Sequence, residues 1–334
     1  MKTKLLQNLR DLIQQAFEYQ KTDPCFVLYD SRHALSSLLA EAYQEILGKE
    51  NAWDFDANKP ESIFEKIHAL PPQSLVVLIQ SSSFRLNEFR FRIELFKRGL
   101  KVLEHAHLER IQEEEFSAYV DSLAYDPSYY RNLGRALKTK IDHCRKIKLL
   151  GNKGSELFYD SPFEDAKLNV GDYRNMKNYG GQFPIGEVFS EPKDLARVNG
   201  SLEIFAYGDS NFRVHAPPEN FRLLLKEGRI LEAVGAPPDF LEILNEIKKI
   251  EKEVWVRELG FGLNRAFSKE RRVSDIGTYE RMCGIHLSIG AKHALYTKEG
   301  FPKKQCKFHV DAFADVKKAF IDEEVVFESE KYII

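Results

Sequence analysis

Cysteine is scarce in this chain. Four residues in 334 (Cys25, Cys144, Cys283 and Cys306) stand far apart, and none forms a C-x-x-C pair. That spacing does not read as a disulfide framework or a thiolate zinc site. Long apolar runs are also missing, since no stretch approaches the roughly 18 residues needed to span a bilayer. The opening segment, MKTKLLQNLRDLIQQAFEYQ, interrupts its apolar residues with charge and lacks the cleavage pattern of a signal peptide. A cytoplasmic protein with reduced thiols is the expectation, with no membrane partner. An excess of either charge is absent too: 49 Lys+Arg stand against 51 Asp+Glu, a formal net charge of -2. A nucleic-acid binder would need a strong cationic field, so no nucleic-acid partner is expected. The densest basic stretch (Lys138, Lys140, His143, Arg145, Lys146, Lys148) fits the wet face of a helix whose other face carries Leu137, Ile141 and Cys144. No Gly-rich phosphate loop, G-x-S-x-G elbow or cysteine-nucleophile context is present.

Hydrophobic residues make up 43% of the chain, enough for sizeable cores. The first part alternates an opening amphipathic helix, an apolar run Cys25–Tyr29, helical spacing over 33–47 and 62–70, a buried-strand pattern at Leu75–Gln80, a helical 85–99, and a further strand from Leu100. This β-α-β-α rhythm predicts an α/β domain with a mostly parallel sheet over residues 1–150. Residues 113–148 read as helix-rich. From Gly151 the pattern turns to short strands broken by Gly, Pro, Asp and Asn, with one clear helix at 238–252. That predicts a strand-rich α+β domain over 151–334.

Three patches of the second half embed charged or imidazole groups among apolar neighbours: Glu187 in FPIGEVF, Glu258 in VWVRELGFGLN, and the tail with His286 in IHLSIG and His309 and Asp311 in FHVDAF. An unpaired charge in such a setting costs several kcal/mol, and a bound divalent metal is one natural compensation. His309 and Asp311 are two apart, so on a strand they project from one face. Mixed imidazole and carboxylate donors suit zinc, cobalt, manganese or iron rather than calcium. Each signal alone has a plain structural reading. Glu258 adjoins Arg257, although strand neighbours point oppositely, and a single His286 is commonly a satisfied core histidine. The His105/His107 pair of the first domain has no carboxylate beside it on a strand and reads as structural or surface, with Glu104 and Glu109 as solvated flanks.

The order of these blocks resembles the thermophilic metallo-aminopeptidase family. FPIGEVFSEPKDLARVNG (183–200) looks like that family's Pro-x-Gly-Glu-Val-Phe block, ELGFGLN (258–264) its Glu-Leu-Gly-x-Gly-x-Asn block, GIHLSIG (284–290) its histidine block, and His309-Val310-Asp311 its terminal His-x-Asp. The resemblance implies a cocatalytic pair of divalent ions held by Glu187, Glu258, His286, His309 and Asp311, with Glu258 bridging. It implies a peptide substrate, removal of N-terminal residues, and a homodimer. The family tyrosine seven residues after the histidine is His293 here, and Tyr296 stands three further on. Glu280 matches a family acid across a gap. His293, Tyr296 and Glu280 are therefore the expected catalytic groups. The same scaffold is shared by a dihydroxypyridine ring-opening dioxygenase group. That resemblance implies instead His286, His309 and Asp311 as an iron(II) triad, and a third reading is a non-catalytic relative in which these residues hold a structural ion.

Overall fold

The structure, a computed structural model, describes residues 1–86, 89–290, 296 and 309–334. The chain packs as two compact units, Met1–Arg131 with Gly171–Ile185, and Asn132–Val170 with Gly186–Ile334. A single boundary near residue 150 was expected. Residues 171–185 return to the first unit because the strand Gly180–Phe183 pairs parallel with Lys101–His105. A short strand rich in Gly carries no pattern of its own that reveals its partner.

In the first unit, five parallel strands lie in the order Gly180–Phe183, Lys101–His105, Leu75–Ile79, Cys25–Tyr29, Ala52–Asp54. Two of the three central strands, Leu75–Ile79 and Cys25–Tyr29, are apolar along their length, as a parallel sheet covered on both faces requires. On one face Phe26, Leu28, Val76, Leu78 and Val102 pack with Ile63, Ile67, Phe91 and Leu95. The helix Lys2–Phe17 buries Leu5, Leu9, Leu12, Ile13, Ala16 and Phe17 at three- and four-residue spacing, and Glu18 ends it in the left-handed conformation. The helical reading of 85–99 shrinks to Phe91–Lys97, with short paired strands at Arg85–Leu86 and Phe89–Arg90 before it. His105 is wholly buried, with Nε2 2.9 Å from the Tyr43 hydroxyl and Nδ1 2.9 Å from the Tyr119 hydroxyl. Glu104 is no solvated flank: it accepts from Gln80 at 2.8 Å and pairs with Arg92.

The second unit is built on a fourteen-stranded sheet whose ladders are antiparallel. Its last strands, Val316–Ile321, Glu324–Glu328 and Lys331–Tyr332, extend beyond the strands read from the sequence. The part that matters for chemistry is four neighbouring strands, in the order His309–Ala314, Gly284–Gly290, Val256–Gly262, Glu187–Ser190. All of Val256–Gly262 and Gly284–Gly290 is buried, so these strands lie inside the unit on both faces. The helix Pro238–Glu251 buries Phe240, Ile243 and Ile247. Among the described residues no helix is long and apolar enough to cross a membrane.

Candidate metal centre

Register brings the charged residues together. Glu187 lies opposite Gly262, His286 opposite Gly260, and Asp311 opposite Ser288. Directly opposed residues of an antiparallel ladder share a face, so Glu187, His286, Ser288 and Asp311 line one side of the sheet. Glu258 joins them by alternation, two residues before Gly260, and a bulge follows on its N-terminal side. Val256 pairs with Ile289 and Leu259 with Leu287, so Arg257 and Glu258 together stand opposite Ser288 alone. Arg257 is turned to Glu251 at 3.0 Å and to the Gly290 carbonyl at 3.1 Å.

Two glycines of the sequence blocks have structural reasons. Gly186 holds φ 119, a left-handed value that a side chain would strain, at the turn into the Glu187 strand. Gly260 lies under the His286 imidazole, where an added Cβ would come within 2.0 Å of Nε2.

Glu187, Glu258 and His286 are buried and each offers one donor atom within 4.8 Å of the other two. His286 Nε2 is 3.4 Å from Glu187 Oε1, while Glu187 Oε2 is 3.1 Å from Arg281 Nη1. The other two expected ligands face each other: His309 Nε2 is 3.0 Å from Asp311 Oδ1, which also accepts from Ser288 Oγ at 2.6 Å. Glu280 forms an ion pair with Arg281. Tyr296 is buried, and its hydroxyl lies 3.2 Å from the Asp165 carbonyl and 3.5 Å from that of Phe189. His293 lies outside the described residues.

Burial pushes the Glu258 carboxyl up to about 8, opposed by His309 and reinforced by the charges of Glu187 and Asp311. Burial acts in the same direction on Glu187 and Asp311, yet both lie below their ordinary values. Arg281 and then His286 hold Glu187 down; His309, His286 and Ser288 hold Asp311 down. Burial would depress His286, but its contact with Glu187 and the charges of Asp311, Glu187 and Glu258 raise it. Glu258 Oε2 is a buried oxygen with no hydrogen-bond partner. A carboxylate left in that state is costly, and a cation between Glu187, Glu258 and His286 removes the cost. The donor set could therefore hold a metal ion.

Arg281 and Ser288 are the members of this environment that the sequence reading left out. Ser288 stands two residues from His286 on a strand, and that alternation was a usable signal. Arg281 sits outside any regular pattern, in the turn after the short helix Ile276–Tyr279. Its carbonyl accepts from Asn264 N at 2.7 Å, so the end of the Glu258 strand positions it.

The second unit thus carries a buried carboxylate–imidazole cluster on adjacent antiparallel strands, the arrangement of a metal-binding site. The chain matches no protein-family profile and no curated protein sequence. Its fold is similar to that of 2,5-dihydroxypyridine dioxygenase from Pseudomonas putida, at a TM-score of 0.64 and 14% identity over 100% of this chain and 98% of that one. It is also similar to wild-type AmpT from Thermus thermophilus, at a TM-score of 0.55 and 13% identity over 100% of both chains. At these identities the likeness is one of fold.

Proposed function

We propose that the chain is a divalent-metal-dependent hydrolase of the aminopeptidase type, acting on the N-termini of peptides. The observation that carries this reading is the buried group Glu187, Glu258 and His286, with its orphaned Glu258 oxygen. The block order shared with the metallo-aminopeptidases and the fold shared with AmpT support it. Glu187, Glu258 and His286 would hold the ion. When bound, it supplies a Lewis acid for a peptide carbonyl and lowers the pKa of a coordinated water. The protein's own part is to hold these groups still and dry. Arg281 keeps Glu187 ionised, and Ser288 fixes the Asp311 oxygen that also meets His309. Imidazole and hydroxyl contacts of this kind set the orientation of groups around a metal.

The test is a panel of aminoacyl amides offered to protein stripped with chelator and then reloaded with Zn²⁺, Mn²⁺ or Co²⁺. Release of the amine only after reloading is expected, and no release with any of the three sinks the peptidase reading.

A second reading has one observation in its favour, the fold shared over its whole length with a ring-cleaving dioxygenase. It would use His286, His309 and Asp311 around iron(II). Oxygen consumption with 2,5-dihydroxypyridine by the Fe²⁺-loaded protein, with no amide hydrolysis, would select it.

A further inference from the structure

The resemblance to metallo-aminopeptidases implies two ions per chain, each needing its own donors. Among the described residues one group of three potential ligands closes on a common point, Glu187, Glu258 and His286. His309 and Asp311 are turned to each other instead. A buried guanidinium stands beside the group. Arg281 is 7% exposed, its Nη1 is 3.1 Å from Glu187 Oε2, and it also pairs with the partly exposed Glu280. The two oxygens of Glu187 are therefore divided: Oε1 faces His286, and Oε2 faces Arg281. A second cation at the Glu187 edge would have to draw on Oε2, and that oxygen faces a buried side chain that cannot leave without stranding its charge.

We propose that this chain binds a single divalent cation, at Glu187, Glu258 and His286, and that the Arg281 guanidinium occupies the position of the second positive charge. The assignment rests on the metal-hydrolase reading above and changes its stoichiometry. Charge supports it. A second dication at the Glu187 edge would stand beside the buried Arg281 guanidinium and be repelled by it in a dry setting. Its Nε and Nη1 have no hydrogen-bond partner, so its hold on Glu187 is by proximity of charge in a dry setting. Arg281 is a positioning residue in this scheme: it acts on substrate only through Glu187 and the ion.

The full chain, stripped with chelator and titrated with Zn²⁺, tests this by counting the ions retained per chain after gel filtration. One zinc per chain is expected for the wild type and for Arg281→Lys, which keeps the charge. Arg281→Met should rise toward two, because the deleted cation leaves Glu187 Oε2 open to a second ion. Two zinc ions on the wild type, or one on a folded Arg281→Met, would overturn the assignment while leaving the hydrolase reading in place. No retained zinc on the wild type would overturn both. Should Arg281→Met fail to fold, the wild-type count and Arg281→Lys still decide the stoichiometry.

Discussion

The His286 ring rests directly on Gly260, so closely that a methyl group there would come within 2.0 Å of Nε2 and 2.1 Å of Cε1. Both residues are on buried central strands, and neither backbone can retreat without breaking a ladder.

Gly260→Ala should therefore move the imidazole rather than the strand. Displacing one of three donors by even an ångström weakens a metal site, and second-contact changes of this kind cost 10- to 100-fold in affinity. We expect a loss of at least about tenfold in Zn²⁺ affinity, measured by competition with a chelating dye. Unchanged affinity would show that His286 is not a donor.

Glu258→Gln keeps the shape and removes the charge that burial pushes up to about 8. The metal-free variant should be as stable as the wild type or more so, because position 258 no longer carries a carboxyl that burial makes costly to ionise. Its rise in Tm on adding Zn²⁺ should shrink or vanish, since a ligand stabilises only by binding the folded state. Thermal melts of both proteins with and without metal test the two halves together. A full wild-type rise in the variant would remove Glu258 from the site.

Ser288→Ala deletes a 2.6 Å hydrogen bond to Asp311 in a buried setting. Bonds to charged groups contribute about 1.5–3 kcal/mol. Urea unfolding at pH 7 should show a loss in that range, and Ser288→Thr should recover part of it. No loss would mean that His309 alone is sufficient to hold the Asp311 carboxylate.

His105 gives a pH dependence independent of the metal. Burial holds its pKa down to about 3, against an ordinary value of 6.5. Below about 6.5 the unfolded chain takes up a proton that the folded chain refuses, so stability falls as pH drops and is fully present only above that value. The slope from this group is about 1.4 kcal/mol per pH unit down to about pH 3. His105→Gln should remove that slope while lowering stability at neutral pH, through its lost contacts with Tyr43 and Tyr119. Parallel stability–pH curves for the two proteins would place the acid sensitivity elsewhere.

Much of this protein was legible without coordinates, and for local reasons. Leu75–Ile79 is a continuous apolar run because a central parallel strand is covered on both faces, and the opening helix shows its buried stripe as spacing. Glu187, Glu258 and His286 stood out because a charge in an apolar strand needs a partner, a fact visible from neighbours alone. The identity of the partner was not visible. That Gly180–Phe183 belongs to the first sheet and that a bulge puts Arg257 and Glu258 opposite one serine both depend on pairings between distant segments. Arg281 is the clearest case. In T-Y-E-R-M-C it reads as one more surface charge, and only the hydrogen bond from Asn264 and the packing of the turn bring it against Glu187. Sequence determined which side chains are chemically able to bind a cation. Tertiary structure decided which of them share a point in space, because strand register, and not residue type, sets the distances between charges.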